Sequence, residues 1–266
     1  MLEKNVKNYA ANYSTNGFIQ HDAARTLIEF IGAECGKNIL DVGCGSGRVT
    51  QLLNSSLKPN TIHAIDKSDS MIDEAKKKYN YTGITFENSS IEDYCNNRKY
   101  DLIISNSSFL WFSNFKVALD NIKNLLANNG GFYIQTSYTH RWCPEFIDIV
   151  EDIKCKHEDI NEMFSHHTFP CFYLDSETEY CDFLESHGLS LTKFMSKNFV
   201  YSLPSSDAIK VFNSGPIKAY TDPLFFNRAI ESEIMNKFYN LVNQTIKGCK
   251  ELTITYPRAF MLCKKL

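Results

Sequence analysis

Short apolar stretches alternate with segments of helical periodicity along the first half of the chain. Apolar runs bounded by turn residues predict strands at residues 38–43, 61–66, 84–86, 100–105 and 132–136. Apolar positions three and four apart predict helices around residues 23–31, 48–53, 71–79 and 115–126. Strands that alternate with helices in this way indicate βαβ units, whose strands lie parallel in one sheet.

The second half of the chain is less regular. Strand-like alternation is found at residues 189–201 and 252–262, and helices are predicted at 176–187, 205–212 and 227–246. We predict an α/β fold, with a Rossmann-like, doubly wound, mostly parallel seven-stranded sheet and a helical cap over one rim. We find no internal repeat or low-complexity linker, so residues 1–266 are interpreted as one domain.

The composition favours a small molecule or a soluble protein as the substrate. Hydrophobic residues make up 43% of the 266 residues, enough for a full core. The 28 basic and 31 acidic residues give a net charge of −3, which provides no general attraction to phosphate backbones or anionic lipids. We expect neither a nucleic-acid nor a membrane partner, and the oligomeric state is left open.

The cysteine pattern and the hydropathy indicate a cytoplasmic protein without a metal site. The nine cysteines are scattered and form no C-x-x-C pair, which disfavours a zinc site. No apolar run reaches the roughly 18 residues needed to span a bilayer, and the first residues lack the apolar stretch of a secretory signal.

A glycine loop between a predicted strand and a predicted helix is the most informative motif. It runs Asp41-Val42-Gly43-Cys44-Gly45-Ser46-Gly47, and glycine at alternate positions lets a ligand approach the backbone closely. The loop follows the first strand, at the edge where open α/β sheets bind ligands. Asp66 ends the second strand and can accept hydrogen bonds from both ribose hydroxyls. The pattern therefore predicts a nucleoside site.

The loop does not fit a dinucleotide fingerprint, because Arg48 stands where G-x-G-x-x-G requires its last glycine. Asp41 suits a ligand that carries an ammonium or sulfonium group better than a pyrophosphate. The D-x-G-x-G-x-G arrangement resembles motif I of class I S-adenosylmethionine-dependent methyltransferases. The resemblance implies S-adenosyl-L-methionine as cofactor and S-adenosyl-L-homocysteine as product.

In that family the loop holds the homocysteine half of the cofactor, and the second-strand acid holds the ribose. A methionine after that acid packs near the adenine, and relatives usually carry an acid where this chain has Ser90. The cofactor-binding residues that the resemblance implies are Asp41, Gly43, Cys44, Gly45, Asp66, Lys67, Met71, Ser90, Ile91 and Asn106.

The cofactor-binding core would span about residues 36–139. The sheet would be completed by about 189–201 and 252–262, and the cap would come from about 1–35, 140–172 and 204–250.

Further motifs resemble the subgroup that contains trans-aconitate methyltransferase and the malonyl-carrier-protein methyltransferase of biotin synthesis. They are the run from Ser105 to Phe112, the Tyr13 and Gln20 spacing, and the Tyr256-Pro257-Arg258 segment. Leu110 departs from the glutamine that relatives commonly carry before the tryptophan. A cation and hydroxyl groups would hold an acceptor carboxylate, and Arg258 is the first candidate because its context matches the relatives. The substrate-binding candidates are Tyr13, Trp111, Arg141, Tyr220 and Arg258.

A small organic acid is the expected methyl acceptor. A carboxylate is already ionised at pH 7, so in-line transfer from a sulfonium needs no general base. An acyl group on a carrier protein is one alternative. An amine, carbon or phenol acceptor is another, and His140 would then be the candidate base. A cofactor-binding sensor without turnover is an alternative of a different class.

Overall fold

Seven strands form one sheet within residues 18–33, 37–80 and 83–266, which the computed structural model describes. The strands are β1 (Asn38–Val42), β2 (Thr61–Asp66), β3 (Thr85–Asn88), β4 (Tyr100–Asn106), β5 (Leu126–Ser137), β6 (Leu189–Pro204) and β7 (Glu251–Lys265). The helices are α1 (Phe18–Ile31), α2 (Arg48–Leu57), α3 (Asp69–Tyr79), α4 (Phe115–Leu125), α5 (Pro144–Lys156), α6 (Glu158–Ser165), α7 (Glu177–Ser186), α8 (Ser205–Ser214), α9 (Pro216–Thr221) and α10 (Ser232–Gly248). Short 3₁₀ helices occur at Phe109–Trp111 and Pro223–Phe225.

The strand order is β3-β2-β1-β4-β5-β7-β6. Strands β1 to β5 pair in parallel, and β7 pairs with β5 in the antiparallel direction. The chain order reverses between β1 and β4, so their carboxyl ends form the switch point at which such sheets bind ligands. The predicted doubly wound, mostly parallel seven-stranded sheet is confirmed.

The chain divides into two compact units. The sheet unit contains the described residues up to His140, together with Phe172–Lys197 and Arg258–Leu266. The helical unit contains Arg141–Cys171 and Asn198–Pro257. Helix α1, which the sequence pattern assigns to the cap, belongs to the sheet unit and contacts α2, β4 and β5. Tyr13, predicted to bind substrate, lies outside the described residues.

Two predicted boundaries are wrong for identifiable reasons. Strand β5 begins at Leu126 rather than at residue 132, because Leu126 pairs with Tyr100 of β4, and an irregularity in the ladder separates this pair from Leu102 and Gly131. Helix α10 begins at Ser232 rather than at residue 227. The Asn227 N–H donates to the His166 carbonyl, next to the bridge between residues 167 and 226, so this segment is not helical.

The turn from β1 into α2 depends on glycine. Gly43, Gly45 and Gly47 have φ values of +75°, +53° and +78°, a region that residues with a Cβ rarely adopt. A Cβ on Gly43 would lie 2.2 Å from the Cβ of Ser108, which follows β4. The ends of β1 and β4 therefore approach each other as closely as they do only because residue 43 has no side chain.

We expect Gly43→Ala to destabilise the protein more than Gly83→Ala. Both glycines have nearly the same φ, +75° and +76°, but a Cβ on Gly83 would meet nothing within 4 Å. The Gly83 variant should lose about 1–2 kcal/mol from backbone strain alone. The Gly43 variant should lose at least twice as much, because steric overlap adds to the same strain.

Urea unfolding of both variants measures the two losses. Combining Gly43→Ala with Ser108→Gly removes the overlapping Cβ and should recover part of the lost free energy of unfolding. Equal losses in the two single variants would contradict the close-approach argument.

Candidate active site at the carboxyl edge of the sheet

Two backbone N–H groups fix the Asp66 carboxylate at the end of β2. Gly45 N donates to Asp66 Oδ2 and Ser68 N donates to Asp66 Oδ1, both at 2.8 Å. An ionised carboxylate accepts about four hydrogen bonds, so each oxygen can accept another. Asp66 is partly exposed. It therefore presents a carboxylate of defined orientation beside the glycine loop, suited to a pair of neighbouring hydroxyls.

Asp41 is buried at the end of β1, where the glycine loop begins, with 1% of its surface exposed. The Thr50 hydroxyl donates to Asp41 Oδ2 at 2.7 Å. Burial raises the pKa of Asp41 to about 7, while the Thr50 hydrogen bond lowers it and the nearby charge of Asp66 raises it. This carboxyl group therefore titrates near neutral pH, and an adjacent cation would favour its ionised form.

Three of the predicted cofactor-binding residues have buried apolar or thiol side chains. Cys44, Met71 and Ile91 are 8%, 7% and 3% exposed. Burial, together with the charges of Asp41 and Asp66, raises the pKa of the Cys44 thiol, so this thiol stays neutral. Lys67, by contrast, is exposed next to Asp66.

The polar side chains after β3 already have protein partners. The Ser90 hydroxyl donates to Asp93 Oδ2 at 2.7 Å and accepts from Asp93 N at 3.1 Å. Glu92 Oε1 accepts from the N–H groups of Ser113 and Asn114 at 2.7 and 3.3 Å, so it satisfies donors at the start of α4. The Ser90 hydroxyl is therefore already bonded within the protein, both as donor and as acceptor.

Asn106 ends β4 with an unsatisfied acceptor. It is 9% exposed, and its Nδ2 lies 3.4 Å from the Gln20 carbonyl oxygen. Its Oδ1 is buried and has no hydrogen-bond partner among the described residues. A buried carbonyl oxygen without a donor is costly, so this atom is suited to accept a hydrogen bond from a ligand.

The residue after Asn106 has an unusual backbone conformation. Ser107 adopts φ +59°, and its N–H and hydroxyl donate to the carbonyl and side-chain oxygens of Gln135 at 2.8 and 2.6 Å. These two bonds anchor the turn that leads to Trp111. Trp111 is 38% exposed, whereas the preceding Leu110 is buried. An apolar residue at position 110 is therefore compatible with its surroundings.

His140 follows β5 and is held by a carboxylate. Asp175 Oδ1 accepts from His140 N at 2.8 Å and lies 2.9 Å from His140 Nδ1. These contacts to His140 lower the pKa of Asp175. Glu179 in turn accepts from Asp175 N at 2.7 Å, in a capping box with Ser176 that starts α7. When Nδ1 carries the proton, His140 Nε2 is the basic atom of an exposed imidazole.

Arg258 places a buried positive charge at the carboxyl end of β5. It lies opposite Ser137 in the β5–β7 pairing, is 7% exposed, and donates from Nη1 to the Ser137 hydroxyl. The guanidinium remains charged at any pH at which the protein is folded. The sheet unit thus brings Arg258, Asn106 and the glycine loop to the same edge of the sheet.

Two predicted substrate residues belong to the helical unit. Arg141 pairs with Asp148 at 2.8 Å on the surface. Tyr220 is buried in an aromatic cluster, where it stacks with His167 at a centroid distance of 6.2 Å. His167 is half-buried and hydrogen-bonded to the Ala219 carbonyl oxygen. No group of three or more His, Cys, Asp or Glu side chains in the described ranges could hold a metal ion.

Four further residues shape this edge of the sheet, and their roles are not evident from the sequence. Thr50 bonds to Asp41, and Ser108 lies against Gly43. Gln135 holds the turn after β4, and Asp175 orients His140. Their contacts join positions far apart in the chain, except for Thr50, whose place in the first turn after the loop offered a usable clue.

The described helices include none with the length and hydropathy that a membrane-spanning helix requires.

Comparisons with known proteins identify the family of this chain. The family described as a methyltransferase domain matches residues 33–204. Protein 235L of Invertebrate iridescent virus 6, named as a candidate methyltransferase, is 22% identical over 92% of this chain and 88% of the viral protein. The malonyl-(acyl-carrier protein) O-methyltransferase of Acetivibrio thermocellus is 33% identical, over 49% of this chain and 47% of that protein. The chain thus spans about half the length of this carrier-protein methyltransferase.

A solved structure also shares the fold. The S-adenosylmethionine-dependent methyltransferase from Geobacter sulfurreducens, crystallised with S-adenosyl-L-homocysteine, superposes with a TM-score of 0.54 at 12% identity. The match covers 92% of this chain and 91% of that chain. Because the family match spans well over half of the chain, the protein belongs to the methyltransferase domain family and is an S-adenosylmethionine-dependent enzyme.

Proposed function

We propose that the enzyme transfers a methyl group from S-adenosylmethionine to the carboxylate of a small organic acid. Arg258 carries this proposal, because it is a buried, permanent cation at the carboxyl end of β5. A charge-assisted hydrogen bond from a guanidinium would orient an acceptor carboxylate. The nearby Ser137 hydroxyl, to which Arg258 donates, would keep the guanidinium in place.

The residues at the glycine loop suit the cofactor. Gly43–Gly47 would lie along its homocysteine half, Asp66 would accept from the ribose hydroxyls, and the unsatisfied Asn106 Oδ1 would accept a ligand N–H or O–H group. Gly45 N donates to Asp66 Oδ2, so the glycine loop and the carboxylate that would bind the ribose lie side by side. The cofactor supplies an activated methyl group on a sulfonium. The protein then contributes proximity and alignment, since an ionised carboxylate needs no base.

A carrier-protein acceptor would suit the malonyl-(acyl-carrier protein) relatives, but the charges of the helical unit do not favour it. That unit has nine basic and twelve acidic residues. Six of the nine basic side chains are ion-paired with acidic side chains of the same unit. An acidic carrier would therefore meet little free positive charge there.

The His140–Asp175 pair favours a second candidate function, methylation of an amine or phenol. A histidine held by a carboxylate through Nδ1 can remove a proton with Nε2, as nucleophilic amines and phenols require. A carboxylate acceptor would leave this pair without a catalytic role. Replacing Asp175 with asparagine would slow an amine or phenol reaction at neutral pH and leave carboxylate methylation unchanged.

Loss of the Asp66 carboxylate should weaken cofactor binding. We expect Asp66→Ala to reduce affinity by about 1–3 kcal/mol, the value of a lost charge-assisted pair of hydrogen bonds. Equilibrium dialysis with labelled S-adenosylmethionine measures the change. Asp73→Ala, on the exposed face of α3, is the control and should bind normally. Unchanged affinity in Asp66→Ala would refute the ribose assignment.

The acceptor class is tested with cofactor labelled on its transferable methyl group. The purified protein is incubated with this cofactor and fractionated cell extract, and alkali lability of the label is scored in small-molecule and protein fractions. We expect alkali-labile label on small molecules, as in methyl esters. Labile label on protein would indicate an acyl carrier, and stable label would overturn the ester proposal. Cofactor binding without any label, even with an extensive panel of organic acids, would favour the sensor.

Once an acid substrate is found, Arg258 can be tested directly. Arg258→Met should raise the acceptor KM about 10- to 100-fold, because a charge-assisted bond contributes about 1.5–3 kcal/mol, while cofactor affinity stays unchanged. Arg228→Met, which breaks a surface ion pair with Glu162, is the matched control. Equal KM values in the two variants would exclude Arg258 as the carboxylate-binding residue.

A further inference from the structure

Thr50 connects the two ends of the glycine loop. It is fully buried in the first turn of α2, and its hydroxyl donates to Asp41 Oδ2 in β1 at 2.7 Å. One hydrogen bond thus links the strand before the loop to the helix after it. A hydroxyl donor stabilises the ionised form of a carboxyl group.

The surroundings of Asp41 oppose its ionisation. In the sheet it lies between Ala64 of β2 and Ile104 of β4, which are both buried and apolar. The titratable groups that act on it among the described residues are Asp66 of β2, whose negative charge is repulsive, and the neutral Cys44 thiol of the loop. Within the described ranges, the Thr50 hydroxyl is a hydrogen-bond donor to Asp41 that favours a negative charge on it.

We propose that Thr50 is a positioning residue of the cofactor site. Its hydroxyl orients the Asp41 carboxyl group at the glycine loop and favours the ionised form. Thr50 thereby sets the pH above which the loop binds its cationic cofactor. The proposal rests on the assignment of Asp41 to the cofactor's positively charged half. It is independent of the methyl acceptor.

Proton and cofactor then compete for one carboxyl group. Below neutral pH, Asp41 holds a proton, and binding the cation releases that proton to the buffer. Affinity therefore increases as pH rises through the titration of Asp41. Removing the Thr50 hydroxyl removes a contact that lowers the pKa of Asp41. The pH at which affinity is half-maximal should consequently move upward.

The experiment measures the affinity of the full chain for S-adenosylmethionine between pH 5.5 and 8.5 by equilibrium dialysis. The variants are Thr50→Val, which keeps the shape but loses the donor, and Thr50→Ser, which keeps the donor. Thr221→Val is the matched control, because its buried hydroxyl donates to the Ile217 carbonyl oxygen within the helical unit. The cofactor's own titration is common to all four proteins and cancels in the comparison.

We expect the half-maximal pH to rise by about one unit in Thr50→Val, as for a lost hydrogen bond to a charged group. Thr50→Ser and Thr221→Val should keep the wild-type midpoint. An affinity loss of equal size at every pH in Thr50→Val would indicate a merely structural contact and overturn the proposal.

A measurement on the wild-type protein covers the case in which Thr50→Val does not fold. Titration calorimetry at pH 6.5, in two buffers of different ionisation enthalpy, counts the protons released on cofactor binding. We expect a release of a substantial fraction of one proton. No release at that pH would overturn the proposal, whereas failure to find a carboxylate acceptor would leave it standing.

Discussion

The close approach between the ends of β1 and β4 is the constraint on which the site depends. Ser108 occupies space that a side chain on residue 43 would fill, and its hydroxyl donates to the carbonyl of Val42. This contact sets the glycine loop against the turn that follows β4. Asp66 then holds the loop through Gly45 N, and Ser107 is fixed by Gln135. Asp41, Asp66 and Asn106 thus stand at the carboxyl ends of three neighbouring strands, at one edge of the sheet.

Much of the sheet could be predicted because its central strands are nearly uniformly apolar. The glycine loop also marks the end of β1. β4 is buried along nearly its whole length, which its sequence reveals directly. The start of β5 could not be predicted, because Asn128–Gly131 resembles a turn. It belongs to the strand because its ends pair with Tyr100 and Leu102 of β4, across an irregularity that local sequence does not reveal. The region of residues 227–231 was misjudged for a similar reason, since its contacts to residues 166 and 167 cannot be read from local periodicity.

The cofactor half of the site was more accessible to sequence analysis than the acceptor half. Asp41, Gly43 and Asp66 lie in a short motif with a fixed spacing. Arg258 and Ser137 meet only because β7 pairs with β5 across 121 residues of chain. Spacing also could not show that Glu92 accepts from the N–H of Ser113 just before α4, or that Arg141 already has an acidic partner in the helical unit. The proposed acceptor half depends on such distant pairings, which is why it is the harder half to infer.

The burial of Asp41 also affects the stability of the empty protein. Between the ordinary carboxyl pKa near 4 and a value of about 7, the folded chain holds a proton that the unfolded chain has lost. The free energy of unfolding therefore decreases as pH rises through this window. A cation bound beside Asp41 would favour the ionised carboxylate and so offset this decrease in the free energy of unfolding. Any ligand that binds only the folded form stabilises the protein further. The free energy of unfolding of this enzyme would then follow the concentration of its methyl donor, so that the donor acts on the stability of the enzyme as well as on its rate.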